Sequence, residues 1–132
     1  MPFEISKRLI EPSPLPKTPA NPDNLTRATM PYYAGKNGEI LSVAGLFFDF
    51  DGLQYSFSIS DLTDLKLTLN GNEIEFSLHS NVSRNVSYRE YSNDFTTSYT
   101  LDFKETYSTP GKYKITGKYR GKAFESDVMT IK

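Results

Sequence analysis

Ser98-Tyr-Thr-Leu-Asp-Phe103, Thr109-Pro-Gly-Lys-Tyr-Lys-Ile-Thr-Gly-Lys-Tyr119 and Ala123-Phe-Glu-Ser-Asp-Val-Met-Thr-Ile131 follow one another in the chain and decide its fold class. In the first, Tyr99, Leu101 and Phe103 alternate with polar residues, the period of a half-buried strand. In the second, Tyr113, Ile115 and Tyr119 share one face, and Lys112, Lys114, Thr116 and Lys118 share the other. Arg120-Gly121-Lys122 supplies a turn, and the third stretch returns as a strand. Three successive strands with one apolar face each require a second layer to cover them.

The strand order and the tyrosine resemble strands E, F and G of the I-set branch of the immunoglobulin superfamily. In that family a Tyr near the start of strand F lies two residues before a Cys, and its hydroxyl bonds back to the E–F corner. Tyr113 matches that tyrosine, and Ile115 stands where the Cys would be, so the inter-sheet disulfide is absent. Leu67 falls about where the family carries its buried Trp. The resemblance implies an all-β fold, an immunoglobulin-like β-sandwich of two antiparallel sheets with seven to nine strands. It implies no single job, because this fold hosts adhesion, scaffolding, virion and enzyme-accessory roles alike.

The stretch upstream supplies the remaining strands. Glu39 to Phe50 is a long apolar run, and Asp51-Gly52 offers the positive φ of a tight hairpin turn into Leu53-Gln-Tyr-Ser-Phe-Ser-Ile59. There Leu53, Tyr55, Phe57 and Ile59 alternate cleanly with polar residues, as in a strand. A second hairpin is expected from Leu65–Leu69 and Glu73–Leu78, which flank Asn70-Gly71, the strongest two-residue hairpin signal. Between His79 and Asp94 the pattern loosens into an irregular edge strand or long loop.

Residues 1–23 read differently. Phe3 to Lys7 alternates weakly, and Pro12, Pro14, Pro16, Pro19 and Pro22 then exclude a central strand or a helix. This segment is a Pro-rich leader or a first edge strand, and 24–132 is the immunoglobulin-like domain. Pro16-Lys17-Thr18-Pro19 has bare PxxP spacing, which a Pro-rich run generates readily.

With 132 residues the chain fits one domain able to bury a core without staples. It has no Cys, which removes disulfides and thiolate chemistry together. No run of apolar residues is long enough to span a bilayer as a helix, and no secretory signal is visible. Cytoplasmic and virion-associated settings are compatible, as is an extracellular one if a signal is removed. A formal net charge of −1 argues against a generic nucleic-acid binder.

Enzymatic constellations are missing. His79 is the one histidine and falls on the polar face of its run, so no Cys–His pair and no His-rich Zn set can be assembled in one chain. There is no nucleophile elbow and no phosphate-cradling glycine loop. Asp49 and Asp51, with Asp61 and Asp64, could gather oxygens for Ca²⁺, but their spacing is not that of an EF-hand loop and turn-forming Asp is the plainer reading. The sequons at Asn24, Asn81 and Asn85 are common enough by chance to prove nothing about secretion. No catalytic residue, metal or cofactor is expected.

Charge placement is more informative. Lys104 to Lys122 holds Lys104, Lys112, Lys114, Lys118, Arg120 and Lys122 against Glu105, whereas Asp49 to Glu75 holds six acids against Lys66. The expectation is a polarised surface on which Lys112, Lys114, Lys118, Arg120 and Lys122 are candidates for binding a protein or other macromolecule, an acidic one in particular. The aromatics of this stretch point inward and cannot stack bases, so nucleic acid is a poorer partner. The function expected is a non-enzymatic interaction or adhesion module acting through a sheet face or loops. The alternatives are an architectural spacer in a larger assembly and, more remotely, a carbohydrate-active accessory using the Asp49/Asp51 loop.

Overall fold

The computed structural model describes residues 18–132. Among them ten strands form two antiparallel sheets: β1 (Leu25–Thr29), β2 (Tyr32–Ala34), β3 (Ile40–Asp51), β4 (Leu62–Leu69), β5 (Asn72–Ile74), β6 (Leu78–Arg89), β7 (Asp94–Tyr107), β8 (Gly111–Tyr119), β9 (Lys122–Glu125) and β10 (Met129–Ile131). Sheet one runs β1-β3-β7-β6, with β2 also on β3; sheet two runs β10-β8-β4-β5, with β9 also on β8. The arrangement is a β-sandwich compatible with an immunoglobulin-like fold. The count exceeds the expected seven to nine because two ribbons are interrupted. β1 and β2 line the same edge of β3 and are separated by Met30-Pro31, where proline has no N–H for the ladder. β9 and β10 line the same edge of β8, and between them Asp127 donates its N–H to Ala28 C=O at 3.0 Å, tying sheet two to β1.

Burial follows the alternation. Tyr99, Leu101 and Phe103 on β7 and Tyr113, Ile115 and Tyr119 on β8 are all buried, against Val43, Leu46, Phe48 and Phe50 of β3. Leu67 is completely buried, and the core also holds a cluster of packed rings. Phe57 stacks on Tyr119 with centroids 4.8 Å apart and on Tyr99 at 5.0 Å, while Phe48 meets Phe124 edge-on at 4.9 Å. Each such ring removed from water contributes roughly 1.5–3 kcal/mol. Gly45 sits at a bulge against β7, where a Cβ would lie 2.3 Å from the Leu101 carbonyl oxygen.

The Asn70-Gly71 hairpin forms with φ of 54° and 84°, as its turn type requires. Its second strand is shorter than expected, because after Ile74 the chain leaves sheet two and Ser77 C=O accepts from Lys104 N–H of β7 at 2.9 Å. The hairpin expected at Asp51-Gly52 does not form. Both edges of β3 are already occupied, by β7 on one side and β1 with β2 on the other, so no place remains for a returning strand. Gly52 does adopt φ of 81°, but its N–H continues the ladder to Phe95 C=O at 2.7 Å, and residues 53–58 then cross from sheet one to sheet two. In the first half of the crossing the alternation is inverted, with Leu53 and Tyr55 exposed and Gln54 buried, whereas Phe57 and Ile59 pack on the core as expected. Gln54 replaces a strand's bonds with its own, receiving Tyr99 OH and Arg84 Nε at its carbonyl and giving its N–H to Thr97 Oγ1, all within 2.8–3.0 Å.

The described end of the leader is docked. Ala20 is fully buried, its N–H donates to Ser56 C=O, and its own carbonyl accepts from Tyr119 OH at 3.3 Å. The edge strand considered at Phe3–Lys7 and the first residues of the PxxP match lie outside the described residues.

Candidate interaction surfaces

Tyr113 is buried on β8, and its hydroxyl donates to the Thr109 carbonyl four residues upstream at 2.6 Å. Burial pushes its phenol above the ordinary value, with the Thr109 bond opposing. Its role is to close the corner between β7 and β8; it touches no surface that a partner could reach.

Lys112, Lys114 and Lys118 occupy the outer face of β8, opposite Tyr113, Ile115 and Tyr119. Four of the five candidate cations meet acids of the same molecule. Lys114 reaches Glu125 at 2.9 Å, Lys118 reaches Asp64 at 3.7 Å, Arg120 reaches Asp61 at 3.6 Å and Lys122 reaches Asp23 at 3.6 Å. Lys112 enters no ion pair among the described residues. Sheet order accounts for two of the pairs: β4, from the acidic stretch, lies beside β8, from the basic one, which sets Asp64 near Lys118 and brings Asp61, just before β4, to Arg120, whereas Glu125 comes from β9 on the other side of β8 and Asp23 from the segment before β1. These pairs are exposed and each contributes at most ~1 kcal/mol, but together they cancel most of the field expected there.

The carboxylates weighed for a metal are dispersed. Asp49 points out of sheet one, and burial raises its pKa while Arg27 and Arg89 pull it down. Asp51 pairs with Arg89 at 3.2 Å, and Asp61 and Asp64 belong to the sheet-two pairs above. Among the described residues no three His, Asp or Glu side chains come together as a metal set. A cleft of about 830 Å³ opens beside β5, lined by Leu67, Ile74 and Phe76, and its charged residues are of both signs, Lys66 and Lys104 with Glu73, Glu75 and Glu105. His79 is exposed, as are Asn81 and Asn85 on β6, whereas Asn24 is half-buried.

One surface was not anticipated from the sequence. β6 and β7 form a long hairpin whose tip, Glu90–Asn93, carries Tyr91 with 91% of its surface exposed. Tyr88 and Phe95 are cross-strand partners with rings 5.0 Å apart, yet 50% and 38% exposed, although they lie on the face of sheet one that elsewhere forms the core. Val86, the next β6 residue on that face, is also exposed. Sheet two fails to reach this end because its edge, β5, is three residues long and is placed at the other end, where Phe76 packs on Phe103 opposite Leu78. The crossing segment adds to the same surface: Gly52 is bonded to Phe95 and Gln54 to Thr97 and Arg84, which sets Leu53 and Tyr55 beside the hairpin. Arg89 and Asp94 brace the foot of its turn through two bonds of 2.9 and 2.7 Å. Ser92 and Arg89 hold the Asp94 carboxyl below the usual carboxylate range. The available signal was the Tyr88-Arg-Glu-Tyr91 spacing before a turn, but pattern alone does not say which strand ends lack a covering layer. No family model matches the chain, and neither does any curated protein or solved structure.

Proposed function

We propose that the protein is an immunoglobulin-like, non-enzymatic interaction module that recognises a macromolecular partner through the uncovered end of the β6–β7 hairpin. The observation that carries this is the exposure of Tyr88, Phe95 and Val86 on one end of an otherwise covered sheet face, with Tyr91 exposed at the tip and Leu53 and Tyr55 exposed on the neighbouring crossing segment. Large contiguous apolar surface costs solubility and is kept where a partner covers it, and aromatic side chains supply most of the energy at such contacts. Support for the immunoglobulin-like assignment comes from the sheet order together with the Tyr113–Thr109 corner. The lysine row of β8 is a weaker site, because its charges are largely satisfied within the molecule.

The test compares three baits in extract from the native host, read by quantitative mass spectrometry: wild type, Tyr88→Ser with Phe95→Ser, and Lys112→Glu with Lys114→Glu and Lys118→Glu. A protein held by wild type and by the lysine variant but lost from the aromatic variant supports the assignment. One lost from the lysine variant alone moves the site to sheet two, and baits that differ in nothing leave the architectural role.

A further inference from the structure

We propose that the protein self-associates as a two-fold dimer in which β6 pairs antiparallel with β6 of a second copy. This rests on main-chain geometry and goes beyond the recognition surface above. In an antiparallel ladder a residue directs both its N–H and its C=O to the same neighbour, and the next residue directs both the other way. Phe95 accepts from Gly52 at 2.7 Å and so faces β3. Alternation makes Thr96, Ser98 and Thr100 face β6, where their partners Ser87, Asn85 and Ser83 face back. Val82, Arg84, Val86 and Tyr88 therefore aim their N–H and C=O groups outward along the free edge of sheet one.

That edge is the only long one among the described residues. The opposite edge of sheet one is broken at Met30-Pro31, and both its segments carry register shifts. In sheet two, β5 has three residues, the part of β4 it leaves uncovered is interrupted by a bulge at Asp64, and the other edge is split where Asp127 turns its N–H to Ala28. Natural edges are blunted by proline, lysine or bulges. From Val82 to Arg89 the register against β7 is unbroken, and the sequence holds neither proline nor lysine. A row of unpaired main-chain groups of this length is complementary to one thing, another extended strand.

The sequence of β6 suits its own copy. With Val86 opposite Val86 on the two-fold axis, Arg84 faces the Tyr88 ring and Asn85 faces Ser87, so each contact occurs twice without a like-charge pair. The register that sets Arg84 opposite Arg84 is penalised by repulsion. A net charge of −1 gives two copies little long-range repulsion to overcome. The result is one continuous sheet through both molecules, with the two aromatic surfaces side by side.

Sedimentation velocity over a hundredfold range of concentration tests the proposal. Wild type is expected to pass from monomer to dimer as concentration rises. Val86→Pro removes an outward N–H and leaves the β6–β7 bonds intact, so it is expected to stay monomeric at every concentration with an unchanged circular dichroism spectrum. Val86→Lys, which sets like charges across the axis without touching the backbone, is expected to weaken the dimer at least tenfold and guards against a proline variant that fails to fold. Because the chain has no Cys, Val86→Cys is expected to form a disulfide-linked dimer on mild oxidation, and Ser92→Cys at the hairpin turn is not. A wild type that stays monomeric throughout overturns the proposal, as does a Val86→Lys protein that dimerises like wild type. Tyr91→Ser with Phe95→Ser separates the two claims, since it is expected to lose the partner while dimerising normally.

Discussion

Tyr113 and Tyr119 sit on the same buried face of β8 and bond in different directions, one to its own corner and one to the docked leader. Tyr113→Phe keeps the ring and leaves the Thr109 carbonyl without its donor, so a loss of about 1–3 kcal/mol is expected in urea denaturation. An unchanged midpoint would remove the corner from the sources of stability. Tyr119 makes a pH prediction. Burial, aided by Asp61 and opposed by Arg120, pushes its pKa up from 10.0 to about 12. The fold therefore favours the neutral phenol, and the associated stability is intact below about pH 10 and lost as pH rises through about 12. A tenfold difference in proton affinity between folded and unfolded chains is equivalent to ~1.4 kcal/mol, which makes the loss on the order of 3 kcal/mol. Tyr119→Phe should flatten that alkaline decline; a decline of equal slope in the variant would assign it to other groups. Both tyrosines were legible as core from alternation alone. The bond of Tyr119 to Ala20 was not, because it joins residues 99 positions apart.

At the scale of the element, the turns show what local pattern decides and what it does not. Asn70-Gly71 became a hairpin because β4 had a free edge to receive β5. Asp51-Gly52 carries the same kind of signal and became a crossing, because β3 had no free edge to offer. Turn chemistry sets φ at a glycine, but vacancy in the sheet decides where the next segment goes. Leu53 and Tyr55 were therefore legible as alternating apolar residues, and their exposure was not. At the β3 bulge, Gly45→Ala is expected to cost about 1–3 kcal/mol, since its Cβ would press on a carbonyl oxygen that β7 cannot withdraw. A melting temperature equal to wild type would show that the bulge relaxes. On β8, Lys114→Glu and Lys118→Glu place like charges against Glu125 and Asp64 and should each cost up to ~1 kcal/mol, less at high salt, whereas Lys112→Glu stays within about ±0.5 kcal/mol. Equal costs at all three positions would mean that the pairs contribute nothing.

Among the described residues, two interrupted edges and one short one protect the sandwich, and the long β6–β7 hairpin is left uncovered at one end of a face and unpaired along one side. Far-UV circular dichroism should show sheet with little helix; a helix content above about a third would contradict the fold. The sandwich class was readable because its strands alternate. The recognition surface was not, because it exists only where one sheet outruns the other. Site-specific photo-crosslinking in the native host, with a benzophenone side chain at position 91 or at position 118, tests that surface most directly. A specific protein adduct is expected from position 91, at the tip of the hairpin, and none from position 118, whose lysine lies against Asp64. Adducts from position 118 with none from position 91 would contradict the assignment of the hairpin end as the recognition surface.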